Sequence, residues 1–240
     1  MAKQGKIRLQ CTVGQTIYYP LKGEYYMRRK PAEVRRTDAS VKSGLNFGKA
    51  SRICRQLREL IGPLNPSNTD KRVMFRFTGA LNKFINWNSN RPETGKGRIT
   101  GLPSLTDFQF NDQAMVAGLK ALQIRVKTSG SGLTELSISP IIPVSTLNAP
   151  QGTTQVICRI MVTGSDPDRV TSRLLGNAEI NIPDNDRLFE APVLSLTPAA
   201  PGEIMLVIMA LEYQLNGDGG LKADERMRYR PCGIVWSAMD

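Results

Sequence analysis

Histidine is absent from this 240-residue chain, and several classes of catalytic site are absent with it. Without an imidazole there is no Ser-His-Asp or Cys-His nucleophile, no imidazole general base, and no histidine-ligated zinc or haem. We therefore expect a protein that is not an enzyme and that uses no cofactor. An enzyme of unfamiliar type and a sandwich that binds a carbohydrate or another ligand stay open as alternatives.

Cysteines and long apolar runs are also scarce. The four cysteines (Cys11, Cys54, Cys158 and Cys232) are far apart and form no C-x-x-C pair that could bind zinc. The longest apolar run, residues 204–211, is far shorter than the roughly 20 residues that span a bilayer. No apolar secretory segment follows the polar N-terminus. We expect free, mostly structural thiols, no membrane partner, and a cytoplasmic protein or a part of an intracellularly assembled particle.

Acidic residues are scarce in the first part of the chain only. Residues 1–100 hold 21 Lys and Arg against 6 Asp and Glu, whereas residues 101–240 hold 11 against 15. This asymmetry predicts a basic part that meets an anionic surface, either a nucleic acid or the acidic half of a neighbouring copy. The candidate contacts with an anionic partner are Arg28, Arg29, Lys30, Arg35, Arg36, Arg52, Arg55 and Arg58.

The first 37 residues predict a basic β-ribbon. Residues 7–13 alternate between apolar and polar side chains, as a half-buried strand does, and two tyrosine-rich segments follow at 16–19 and 25–28. Lys22-Gly23-Glu24 marks a turn between them, and Pro31 ends the ribbon. Because so small a ribbon is marginally stable by itself, we expect it to lie on a partner.

Two helices and a series of short strands are predicted after the ribbon. Apolar residues recur with helical spacing over residues 39–61, which end at Gly62-Pro63, and again over residues 70–87. Eight β-rich segments with Gly and Pro between them follow, at 105–110, 119–127, 133–139, 154–162, 178–182, 191–196, 204–215 and 228–236. We therefore predict an α+β protein with an N-terminal β-ribbon plus two helices, then an antiparallel β-sandwich. The predicted parts are the basic arm 1–37, the two-helix segment 38–100 and the sandwich domain 101–240.

Two motifs suggest ligand sites but do not satisfy their requirements. Gly95-Lys96-Gly97 lacks both the earlier glycine and the following Ser or Thr of a phosphate-binding loop. The Asp-x-Asp pairs at 166–168 and 184–186, together with Asp218, lack the 12-residue ligand spacing of a calcium loop. We interpret these aspartates as turn residues, so no metal site is predicted.

Short motifs in two parts of the chain resemble those of a known group of proteins. The first part has YYMRRK at 25–30, NFGKAS at 46–51 and RQLR at 55–58; the second has FQFN at 108–111 and LNAPQGTT at 147–154. Together they resemble a widespread group of uncharacterised Bacteroidota proteins. The resemblance implies a short basic β-ribbon, a helix with an F-G-x-A/S core and a β-rich C-terminal half, and it implies no activity. Asn46 stands where an acidic residue is expected before Phe-Gly.

The sequence favours a non-enzymatic structural subunit that self-assembles into a filament, tube or particle, such as a phage or phage-tail component. Its partners are then copies of itself, in a homo-oligomer or homopolymer. A head-to-tail contact between unlike surfaces gives open helical polymers or closed rings. The alternative is a nucleic-acid-binding protein whose basic N-terminal region contacts phosphates while Tyr25 or Tyr26 stacks on bases, including within a nucleoprotein assembly.

Overall fold

The computed structural model describes residues 2–4, 8–32, 36–64, 72–91, 97–128, 134–217, 220–224 and 226–239. The chain divides into two compact units, Met1–Lys42 and Ser43–Asp240. Four helices and thirteen strands in three antiparallel sheets are found in the described residues, which confirms the α+β class. The helices are α1 Asp38–Ile61, α2 Val73–Ser89, α3 Ala117–Ala121 and α4 Pro143–Thr146. The strands are β1 Ala2–Lys3, β2 Thr12–Val13, β3 Thr16–Leu21, β4 Glu24–Arg29, β5 Ile99–Thr100, β6 Ile124–Thr128, β7 Thr134–Ile138, β8 Thr153–Asp166, β9 Thr171–Pro183, β10 Leu194–Leu196, β11 Ile204–Gly217, β12 Gly220–Ala223 and β13 Cys232–Met239.

The first unit contains a four-stranded sheet in the order β1-β4-β3-β2. Lys22 and Gly23 join β3 to β4 and both have positive φ (50° and 80°), the geometry of a two-residue hairpin turn. The strand predicted over 7–13 is much shorter in its described part, where Thr12 and Val13 pair with β3. The Gln4 side chain takes the place of a strand partner at Leu9, since it accepts a hydrogen bond from the backbone N–H (2.6 Å) and donates one to the carbonyl (3.0 Å).

The second unit is built on a large sheet in the order β5-β13-β11-β8-β9, with β12 pairing the end of β11. Alternate residues of β11 enter two different core clusters. Ile204, Leu206 and Ile208 pack with α1 and α2, whereas Met205 and Val207 pack towards β7 of the small sheet, whose order is β10-β7-β6. The continuous apolar run 204–211 is therefore explained by a strand covered on both faces.

The helices and the sheets share a core, which changes the predicted division of the chain. Leu57 of α1 and Phe77 of α2 have no exposed surface, and they belong to the same cluster as Leu206 of β11 and Ile234 of β13. Sequence patterns separate 38–100 from 101–240, whereas the structure has one compact unit from Ser43 onward. Residues of the small and the large sheet share a second core cluster, and the helices cover the other face of the large sheet.

Three predicted strands differ from the structure. Residues 105–107 form turns, with positive φ at Ser104 and Asp107 (67° and 65°), and only 108–110 lie beside β13. There Gln109 makes an isolated bridge to Gly233, and Phe110 N donates to Cys232 O (2.8 Å). Residues 119–127 divide into the end of α3 and the strand β6. The segment 228–236 begins with a short 3-10 helix, Met227–Tyr229, before β13 starts.

Candidate interaction surface

Cross-strand pairing sorts the residues of the first unit's sheet onto two faces. Paired residues of an antiparallel sheet share a face, and successive residues alternate between faces. Tyr19 pairs with Tyr26, and Ile17 pairs with Arg28, so these four residues lie on one face, here called the Arg28 face. The opposite face, here called the Arg29 face, carries Ala2, Val13, Thr16, Tyr18, Pro20, Tyr25, Met27 and Arg29.

Aromatic rings and guanidinium groups are in contact on the Arg28 face. The Tyr19 and Tyr26 rings are stacked, with centroids 6.2 Å apart and an interplanar angle of 29°. The Arg28 guanidinium lies 5.7 Å from the centroid of the Tyr19 ring, within the range of a cation–π interaction. Lys3 forms an ion pair with Glu24 on the same face (3.5 Å). This face therefore presents stacked aromatic surface together with positive charge.

The Arg29 face has a similar composition. Tyr18, Tyr25 and Met27 are half-buried, and the Arg8 guanidinium lies 5.5 Å from the centroid of the Tyr25 ring. Val13 is 58% exposed at the edge of this face. Apolar and aromatic side chains thus occupy both faces of the sheet.

The described residues of this sheet are not buried on either face. None of the described residues from 2 to 42 is buried, whereas the buried apolar residues of the described chain all lie between Ala50 and Ala238. A small sheet normally depends on a packed apolar face for its stability. The described residues of the first unit therefore leave apolar and aromatic side chains accessible on both faces of the sheet.

The predicted basic contacts fall into two groups. Arg28 and Arg29 end β4, and Lys30 and Arg36 follow it; all four are exposed in the first unit. Arg35 lies outside the described residues. The second group, Arg52, Arg55 and Arg58, is exposed on α1 within the second unit, opposite the buried Ile53, Cys54 and Leu57.

Sequence reasoning missed two participants on this sheet, Tyr19 and Arg8. The signal for Tyr19 was present, because a two-residue turn at Lys22-Gly23 fixes the register that pairs Tyr19 with Tyr26. Arg8 had no comparable signal, since it precedes β2 and reaches Tyr25 from outside the regular strands.

The other candidate motifs have structural roles where they are described. The Asp166 carboxylate accepts backbone hydrogen bonds from Asp168 (2.8 Å) and Arg169 (3.0 Å), as a turn residue does. Asn46 is buried and donates a hydrogen bond to the Asn86 side chain (2.7 Å), which joins α1 to α2. Within the described part of the chain, no three metal-ligating residues are grouped. Lying outside the described residues are Gly95, Lys96 and Asp218.

The four cysteines are free, as predicted, and differ in accessibility. Cys11 is exposed in the first unit, whereas the other three are buried. Burial raises the pKa of Cys54 to about 11 and the pKa values of Cys158 and Cys232 to about 12. Since a thiol reacts as the thiolate and only where a reagent can reach it, Cys11 is the one cysteine of the four that is open to modification.

Alkylation of the native monomer with a maleimide at neutral pH is therefore expected to add one label per chain. Denatured protein is expected to take four labels, because all four thiols then become accessible. Intact mass spectrometry counts the labels, and the Cys11→Ser variant is the control that should remain unlabelled when native. Rapid native labelling of that variant would contradict the burial of the other three thiols.

Comparison with protein-family models, curated proteins and solved structures finds no match to this chain. The resemblance to Bacteroidota proteins therefore stays a prediction. No helix in the described residues has the length and hydrophobicity of a membrane span. The functional interpretation consequently depends on the geometry of the two units.

Proposed function

We propose that the protein is a non-enzymatic structural subunit that self-assembles through its N-terminal sheet into a filament, tube or particle. The observation that carries this proposal is the four-stranded sheet with tyrosines on both faces and no buried residue among those described. Covering the sheet with another copy would remove this apolar surface from water, at about 25 cal/mol per Å².

Charge favours a contact between unlike surfaces. The first 42 residues hold ten Lys and Arg against three Asp and Glu, so two copies of this sheet repel each other. The excess of acidic residues in 101–240 offers the opposite charge. A contact between the basic sheet of one copy and an acidic surface of the next is heterologous, and such contacts generate rings or open polymers. The free thiols support assembly inside the cell.

Purified protein is expected to sediment far above the 26.5 kDa of one chain and to form regular objects in negative-stain electron microscopy.

Deleting residues 1–30 should leave a monomer, because the deletion removes the sheet but none of the buried core. The deleted chain keeps the α1 cap, in which Ser40 N donates to Thr37 Oγ1 (3.2 Å). A monomeric full-length chain at high concentration across several salt conditions would contradict the proposal.

A second candidate function is nucleic-acid binding, which the Arg28 face supports. Stacked tyrosines beside a guanidinium group form the kind of platform on which single-stranded bases stack. Phosphates would then contact Arg28, Arg29 and Lys30, which are exposed at the end of β4. Both functions can coexist in a nucleoprotein assembly.

A further inference from the structure

Two segments of the second unit that are distant in sequence, 141–144 and 185–189, are joined by backbone hydrogen bonds and carry three exposed aliphatic residues. Ile141 and Phe189 form an antiparallel bridge with hydrogen bonds in both directions (3.1 and 2.8 Å). Ile142 and Leu188 are the next residues inward from this bridge, so they lie opposite each other on its other face. Val144 N donates to Asn185 O (3.2 Å) and brings Val144 to the same loop. We call Ile142, Val144 and Leu188 the aliphatic patch.

The patch is exposed, and the residues next to it in the bridge pack into the core. Ile142, Val144 and Leu188 are 42%, 54% and 64% exposed, respectively. Beneath them, Ile141 is buried and Phe189 packs against the core cluster that lies between the two sheets of this unit. Apolar residues grouped on a rigid surface mark interaction sites more often than isolated ones do.

The loop that carries Leu188 also carries acidic residues. Asp186 and Glu190 lie on either side of Leu188, with Arg187 as the basic residue between them. Asp184 is not part of the exposed rim, because its Oδ1 is buried and has no hydrogen-bond partner among the described residues. Within the described residues, Asp186 and Glu190 are exposed and form no ion pair with the protein. The loop therefore offers apolar contact with a net negative rim.

We propose that the aliphatic patch is the docking site for the N-terminal sheet of a second copy of this chain. This inference rests on the proposed self-assembly and names its second surface. The sheet supplies tyrosines and the exposed Arg28 and Arg29, and the patch supplies aliphatic side chains with carboxylates around them. Opposite charge and shared apolar character make the two surfaces complementary. Because they are unlike, each added copy leaves one free sheet and one free patch, and growth continues.

A complementation experiment tests the pairing with full-length chains. The sheet variant carries Arg28→Glu and Arg29→Glu, one reversal on each face, and the patch variant carries Leu188→Asp. Each variant alone is expected to be a monomer. When the two variants are mixed, the intact sheet of the patch variant should dock on the intact patch of the sheet variant. Assembly should then stop at a 1:1 dimer, because the remaining sheet and the remaining patch are both altered. Analytical ultracentrifugation should then give twice the 26.5 kDa of one chain.

Controls separate this inference from the proposed function. Leu174→Asp changes an equally aliphatic residue of β9 outside the patch (41% exposed) and should leave assembly intact. Glu190→Lys alters only the rim and should weaken assembly even if Leu188→Asp perturbs folding, which circular dichroism would reveal. Wild-type protein that stays monomeric overturns self-assembly itself. Wild-type assembly that survives both Leu188→Asp and Glu190→Lys overturns only the patch, and two monomeric variants that do not dimerise when mixed overturn the pairing.

Discussion

Replacing Leu57 by alanine is expected to lower the free energy of unfolding by about 2–5 kcal/mol, the usual cost of a cavity in a packed core. Leu57 lies on α1 with no exposed surface and shares a core cluster with Leu206 and Ile234 of the large sheet. Because the helices and the sheet bury this cluster together, both should lose stability in one transition. Independent segments would instead unfold separately.

The two tryptophans allow the unfolding of the sheet to be followed separately from that of the helices. Trp87 lies on α2 and Trp236 on β13, so a Trp87→Phe background leaves a single fluorophore on the sheet. Urea unfolding followed by Trp236 fluorescence and by the helical circular dichroism signal should give coincident midpoints, both lowered by Leu57→Ala. Phe47→Ala is the control on the same helix, where the side chain is 53% exposed and little change is expected. If Leu57→Ala left the unfolding midpoint from Trp236 fluorescence unchanged, the segment 38–100 and the domain 101–240 would be independent, as the sequence predicts.

Regular patterns made much of the fold predictable. The helical spacing of apolar residues predicted 39–61 and 70–87, close to the observed Asp38–Ile61 and Val73–Ser89. The apolar run in 204–215 likewise predicted the strand Ile204–Gly217. In these segments local preference and burial agree, so the pattern alone is sufficient.

Positive φ angles and contacts between distant segments made the rest of the fold harder to predict from the sequence. The segment 105–110 is β-rich in sequence, but positive φ at Ser104 and Asp107 folds its first half into turns, and only residues 108–110 lie beside β13. The shared core was also missed, although its signal was present in the sequence. A strand that is apolar at every position from 204 to 211 requires a cover on both faces, and only the helices were available for the second face.

The candidate surfaces were predictable to different degrees. Composition alone predicted Arg28, Arg29 and Lys30 as candidate contacts, and the turn at Lys22-Gly23 fixes the register that pairs Tyr19 with Tyr26. The aliphatic patch gave no such signal. Ile142 and Leu188 are far apart in sequence and meet only through the bridge between Ile141 and Phe189, which is a product of the tertiary fold.

Nucleic-acid binding through the basic residues is expected to depend steeply on salt. Eight phosphate contacts, one for each predicted basic residue, give a slope of log K against log salt of about −7 on duplex DNA and about −6 on a single strand. Raising the salt fourfold then weakens binding by about 10³- to 10⁴-fold. Fluorescence anisotropy with a labelled oligonucleotide measures this slope. Arg28→Glu with Arg29→Glu should weaken the binding and reduce the slope by about 2, and reversing Arg28, Arg29, Arg35 and Arg36 together should abolish the binding. Arg125→Glu with Lys127→Glu is the control, because it changes net charge equally on exposed residues of β6.

The same pair of reversals separates assembly from nucleic-acid binding when particles are examined directly. Particles that survive nuclease treatment at high salt with a protein-like 260/280 nm absorbance ratio are expected for a structural subunit. Under that function, the reversals at Arg28 and Arg29 remove the particles, while those at Arg125 and Lys127 leave them intact. A nucleic-acid-like ratio, or particles that disassemble as the nucleic acid is digested, would instead make the nucleic acid the partner that covers the N-terminal sheet.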